Sequence, residues 1–289
     1  MSFDISELRG TRARDPDAVL RAARSRTGGT VGDRLMLIAA DHPARGSLSV
    51  RGRADAMADR VDLLERLVVA LSRPGVDGVL GTPDILEDLL LLGALEGQVV
   101  VGSMNRGGLA GSTFEFDDRF TAYDPDALAE MRFEGGKMLT RIALDDPSTP
   151  LTLEQSGHAV SSLARRGLMA MVEPFMSHWQ DGRATNLLTA EAVVKSAAIA
   201  SGLGVTSRHT WLKLPVVDGM EKVTASTTLP ILLLGGDPKE RDDEIHEQWR
   251  AALSLPGVRG LVVGRALLYP DDDDVGAAVD VAAGLVHPR

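Results

Sequence analysis

Eight short apolar runs recur along the chain, and each is followed by a stretch with helical periodicity. The runs lie at 35–41 (LMLIAAD), 76–80 (VDGVL), 98–104 (QVVVGSM), 136–142 (GKMLTRI), 168–173 (LMAMVE), 209–215 (HTWLKLP), 229–235 (LPILLLG) and 258–265 (VRGLVVGR). Apolar runs this short, without polar alternation, match strands buried on both faces of a parallel sheet. The helical patterns between and after them fall at about 54–72, 82–95, 125–134, 151–166, 187–202, 218–226, 238–254 and 274–285. Alternation of this kind leaves two architectures, an open doubly wound sheet and a closed barrel, and eight units without a linker favour the closed one. The expectation is an α/β chain with a single (β/α)8 TIM barrel over 31–289. An N-terminal helical extension, 1–30, precedes it, with an extra helix from Asp15 to about Arg26. The run at 136–142 fits least well, because Lys137 and Arg141 interrupt its apolar character.

Composition narrows the function classes. A chain of 289 residues, 44% of them hydrophobic, has enough apolar material for one full barrel core. Its net charge of −10 and lack of a block of Lys and Arg argue against nucleic acid as a partner. The start, MSFDISELRGTRARD, has no apolar core of a signal peptide, and no run is long enough to span a membrane. A cytoplasmic location is expected. With no cysteine, thiolate nucleophiles and thiolate metal sites are excluded.

Basic residues are nearly all arginine; the five lysines are Lys137, Lys195, Lys213, Lys222 and Lys239. A lysine inside an apolar strand therefore calls for its own reason, and Lys213 sits between Leu212 and Leu214 with Trp211 and Pro215 beside them. Apolar surroundings disfavour the ammonium form and favour the neutral amine that attacks carbonyls. A snorkelling or ion-paired lysine at a strand end is the competing reading. Side chains alternate along a strand, so Lys213 shares a face with Trp211, and Lys137 with Leu139 and Arg141.

In a barrel the active site forms at the carboxyl ends of the strands. Asp41 and His42 follow the first run, Asn105 and Arg106 the third; Lys137 and Arg141 lie on the fourth, Glu173 ends the fifth, and Lys213 lies on the sixth. Two lysines and a glutamate on consecutive inner strands suit carbonyl chemistry. The second cation eases deprotonation of the first, and the carboxyl group shuttles protons. A buried Glu173–Lys137 ion pair that only fills the mouth is the alternative. Gly235-Gly236 and Gly264-Arg265 close the last two strands, where barrels commonly hold phosphate on backbone N–H groups, and Arg265 adds a charged fork. MNRGGLAGST (104–113) lacks the Gly-Lys-Ser/Thr of a nucleotide loop and is read as a loop over the mouth. The acidic run 271–274 reads as a solvated helix start rather than a metal cage.

The segments AADHPARG (39–46), FEGGKMLTRIALDDPS (133–148), MVEPF (171–175), WLKLPV (211–216), LLLGGD (232–237) and VVGRAL (262–267) resemble the class I, Schiff-base aldolases. That group includes the deoxyribose-phosphate, tagatose-bisphosphate and archaeal-type fructose-bisphosphate enzymes, and the resemblance covers about residues 30–270. It implies a Schiff base on Lys213, with Glu173 as acid/base, Lys137 and Asp41 as catalytic partners, and phosphate held by Gly264 and Arg265. His42, Arg106 and Arg141 complete the expected substrate-binding set. The tyrosine that donates a proton in the fructose-bisphosphate branch has no counterpart on a suitable strand, since Tyr123 and Tyr269 are the only tyrosines. The chain most resembles actinobacterial aldolase-like proteins of inositol catabolism, which implies 6-phospho-5-dehydro-2-deoxy-gluconate as substrate. The expected enzyme is thus a lyase (aldehyde-lyase) acting on a sugar phosphate in carbohydrate metabolism, as a homo-oligomer, with no metal or organic cofactor. Three other readings stay open: a metal-dependent lyase or isomerase with Asp41, His42 and Glu173 as ligands, a deoxyribose-phosphate aldolase-like activity, and a non-catalytic sugar-phosphate-binding barrel.

Overall fold

The computed structural model describes residues 3–105, 108–235 and 241–288. Eight parallel strands close into a ring: β1 (Leu35–Ala39), β2 (Gly78–Gly81), β3 (Val99–Ser103), β4 (Gly135–Ile142), β5 (Met169–Gln180), then, after a short antiparallel strand β6 (Arg183–Asn186), β7 (Thr210–Pro215), β8 (Ile231–Leu234) and β9 (Val258–Val263). Pairing of β4 with β5 and of β1 with β9 leaves no open edge in the parallel ring, so the (β/α)8 TIM barrel is confirmed. Each expected strand is present, and all but the fifth end within a few residues of their expected bounds. The interrupted run at 136–142 forms an eight-residue strand buried along its whole length.

Alternation divides the apolar residues into two cores. Leu35, Leu37, Val99, Val101, Met169, Met171, Leu232 and Val262 fill the interior, with Trp211 packed against them. Met36, Ile38, Val100, Val172, Leu212, Leu214 and Leu233 face outward and pack with the helices in the larger outer core. Those helices are α1 (Ile5–Arg14), α2 (Ala18–Ser25), α3 (Arg60–Leu71), α4 (Pro83–Leu91), α5 (Pro125–Glu130), α6 (Thr149–Arg165), α7 (Ala190–Ser201), α8 (Met220–Ala225), α9 (Asp242–Leu253), α10 (Arg265–Leu268) and α11 (Val275–Val286). Side-chain caps start several of them: Asp59 accepts from Val61 N and Asp62 N, and Thr189 accepts from Ala192 N.

The structure departs from the sequence expectation in three places. The N-terminal segment holds two helices instead of one. Asp15 does not open the second but closes α1, its N–H bonding to Thr11 O. The helix expected from about Ala54 begins at Arg60, after the Asp59 cap. The fifth strand runs past Glu173 to Gln180 and doubles back as β6, so that Ser177 pairs with Asn186. Periodicity hides this hairpin, because a strand leaving the barrel changes its environment halfway along. Among the described residues, no helix is long and apolar enough to cross a membrane.

Candidate active site

The residues at the carboxyl ends of the strands continue the inward-facing column of the interior core. Ala39 is followed two residues on by Asp41, and Met171 by Glu173 and Phe175; Trp211 is followed by Lys213 and Pro215. All of these but Met171 and Trp211 line a cavity of about 270 Å³, together with Lys137, Leu139 and Val262. At its floor four charged groups form a chain. Asp41 Oδ2 accepts from Lys137 Nζ at 3.0 Å, Lys137 also pairs with Glu173 Oε2, and Glu173 Oε1 lies 2.9 Å from Lys213 Nζ. Lys137 is 1% exposed, Lys213 3% and Glu173 8%. Burial alone would raise the Glu173 pKa, but the ammonium groups of Lys137 and then Lys213 outweigh it and hold the carboxyl well below its usual range.

His42 lies on the same rim, with Nδ1 3.9 Å from Asp41 Oδ1. Burial first, then the nearby Arg265 and Lys213, push its pKa well below the ordinary histidine value and keep the imidazole neutral. Gly264 is required here by close approach: a Cβ would meet Ala39 O at 2.1 Å and His42 Cε1 at 3.2 Å. Gly235 and Arg265, which follow the carboxyl ends of β8 and β9, also line the cavity. Arg106 and Gly236, both expected in the site, lie outside the described residues.

Arg141 shares the inner face of β4 but turns away from the cavity. Its Nε and Nη2 donate to Asp118 at 2.8 and 2.6 Å, and Nη2 also bonds Glu115 O. Asn105 ties the same loop down, donating to Asp118 O at 2.8 Å and Leu139 O at 2.6 Å. Among the described residues, two polar side chains that line the cavity were not identified from the sequence, Arg45 and Asn186. Arg45 ends a single 3-10 turn, Pro43–Arg45, within the AADHPARG segment; Asn186 stands on the unforeseen β6 and accepts a hydrogen bond from Ser177 Oγ at 2.8 Å. Among the described residues, no group of three or more His, Asp or Glu side chains converges in a way that could hold a metal ion.

A closed barrel with a buried amine–carboxylate chain at its C-terminal mouth defines the class of fold and site. The chain belongs to the Cgl0159-like family, whose model matches residues 33–283. It is similar to the crystal structure of Cgl0159 from Corynebacterium glutamicum (Brevibacterium flavum), at 53% identity over 98% of this chain and 96% of that one, with a TM-score of 0.95. More distantly, it has the fold of a Schiff-base-forming fructose-1,6-bisphosphate aldolase, at 17% identity over 88% and 95% of the two chains and a TM-score of 0.65. A fructose-bisphosphate aldolase from Slackia heliotrinireducens DSM 20476 shares the fold at 15% identity, over 98% and 87%, with a TM-score of 0.68. These distant likenesses show the fold alone, a (β/α)8 barrel. No curated protein matches the chain.

Proposed function

We propose that this protein is a class I aldolase that cleaves a carbon–carbon bond of a phosphorylated keto- or deoxy-sugar through a Schiff base on Lys213. The observation that carries the reading is Glu173, buried at the cavity floor with one oxygen on Lys213 and the other on Lys137. Passing one proton from Lys213 to Glu173 removes two buried charges and leaves the Asp41–Lys137 pair balanced. That transfer gives Lys213 the neutral amine it needs.

The amine then adds to the substrate carbonyl, and the carbinolamine loses water to form an iminium, with Glu173 supplying the proton to the departing oxygen. Glu173, again a carboxylate, takes the proton of the hydroxyl on the carbon beyond the bond to be broken. The electron pair of the breaking bond moves into the iminium and leaves an enamine. Protonation of the enamine carbon and hydrolysis release the second product and free Lys213. Lys137 and Asp41 orient hydroxyls and hold the charge balance. The phosphate lies against Gly235, Gly264 and Arg265, with His42 as a neutral donor or acceptor beside it. The resemblance to inositol-catabolic proteins favours 6-phospho-5-dehydro-2-deoxy-gluconate, split into dihydroxyacetone phosphate and malonate semialdehyde. This sequence of steps needs no metal.

The test is borohydride reduction in the presence of dihydroxyacetone phosphate, followed by peptide mass analysis. A stable adduct on Lys213, missing in Lys213→Ala, is expected; no adduct, or an adduct on another lysine, overturns the reading.

A further inference from the structure

The charges lining the cavity are unequal in number and spread across it. Among the described residues that line it, Arg45, Lys137, Lys213 and Arg265 are cationic and Asp41 and Glu173 are carboxylates, in a chain whose net charge is −10. Lys137 and Lys213 are engaged with those two carboxylates at the floor. Arg45 and Arg265 reach the cavity from two different strand ends, Arg45 from the turn after β1. Arg265 follows β9. Arg45 leans the other way, toward the connection between β3 and β4, where its Nε donates to Gly108 O and the backbone N–H of Ala110 donates to Arg45 O. In the ring order β3 and β4 face β8 and β9 across the barrel.

Arg45 is poorly satisfied for a guanidinium in this position. The one side-chain hydrogen bond it makes among the described residues is long, at 3.4 Å. Its ion pair with Glu115 is loose, Oε1 lying 3.7 Å from Nη2 without a hydrogen bond, while Glu115 Oε2 accepts from Gly111 N at 3.0 Å. Burial, then the neighbouring Arg141, pulls the Arg45 pKa below the ordinary arginine value. By contrast Arg141, next to it, has both carboxylate oxygens of Asp118.

We infer that Arg45 forms a second anion subsite, so that the substrate carries an acidic group at each end, a phosphate toward Arg265 and a carboxylate toward Arg45. A planar guanidinium takes a carboxylate through two parallel hydrogen bonds. The amine and Glu173 lie between the two poles, which sets the reacting carbonyl in the middle of the chain. This deepens the aldolase reading and rests on it for the reacting centre, while the binding of a two-ended anion can be measured without any reaction.

The probes are 6-phosphogluconate and sorbitol 6-phosphate, which differ in having a carboxylate or a hydroxymethyl at one end. Calorimetric titration of the wild-type protein is expected to show at least about tenfold tighter binding of 6-phosphogluconate, the discrimination a charged bidentate contact supplies. Arg45→Gln brings the two affinities together, and Arg45→Lys keeps part of the gap. Equal affinities in the wild type, no binding of either probe, or a gap that persists in Arg45→Gln overturns the subsite. The wild-type comparison decides the matter even where a variant fails to fold. Borohydride trapping with dihydroxyacetone phosphate reads the aldolase proposal separately. An adduct on Lys213 with equal affinities sinks the subsite alone; an affinity gap without an adduct sinks the aldolase reading alone.

Discussion

Two ion-paired carboxylates, at opposite ends of the barrel, end with pKa values shifted in opposite directions. At the amino ends of the strands, Glu134 accepts from Val100 N and from the Arg26 guanidinium at 2.7 Å. Burial still wins there, and the Glu134 pKa lies above its ordinary value. At the carboxyl ends, Glu173 is the more deeply buried, yet it touches two ammonium groups, and its pKa falls far below the ordinary value. One cation against two separates them. The surroundings differ as well. Arg26 also donates to the carbonyls of Gln98 at 3.0 Å and Arg132 at 2.5 Å, so both of its Nη groups are engaged at the base of the barrel. Lys213 and Glu173 instead line a cavity. The lesson is that a buried ion pair alone does not mark a site; a surplus of cations beside open volume does.

This contrast can be broken most directly at Lys213. Lys213→Ala is expected to lower kcat/KM for the aldol cleavage by about a thousandfold or more, the scale for loss of a covalent nucleophile. Retention of most of the activity would make the mouth cluster as structural as the one at the base. At the base the expected effect is on stability. Arg26→Leu leaves Glu134 half-buried beside an apolar side chain and costs about 2 kcal/mol in urea unfolding, with kcat of the folded fraction unchanged. A loss of activity without loss of stability would reverse the roles of the two ends.

The third test sharpens the count of cations. Carbon-13 NMR of the Glu173 carboxyl is expected to show it ionised at pH 4 in the wild type and to move to a higher midpoint in Lys137→Met. The folded pKa is depressed, so Glu173 stabilises the fold above its unfolded value. That contribution fades as pH falls through the lower folded value, and Lys137→Met brings the loss to higher pH. An unmoved midpoint would show that Lys213 alone holds the charge.

The smallest expected effect is at His42. Its folded pKa is also depressed, so the unfolded chain binds a proton that the folded one refuses as pH drops below about the ordinary histidine value. Wild-type stability therefore declines between pH 7 and 5, and His42→Gln flattens the decline, read from urea midpoints at both pH values. Equal slopes would place the acid sensitivity elsewhere.

Much of this was legible in the sequence, and the limits follow from what periodicity carries. Short apolar runs alternating with helical patterns determined a ring of eight strands, because only burial on both faces explains runs such as LMLIA and LVV. Strand alternation also placed Lys213 opposite in sense to Leu212 and Leu214, and so inward. What it could not carry was the path of backbone outside the ring. Arg141 has the same parity as Lys137, yet Asp118, more than twenty residues earlier on a loop, claims its guanidinium. Arg45 and Asn186 reach the cavity from a 3-10 turn and from a hairpin, neither of which follows a repeating pattern. Tertiary structure alone decided which cations meet which carboxylates and which face open volume. Those pairings depend on distances of a few ångströms between distant segments, and local propensity holds no information about them.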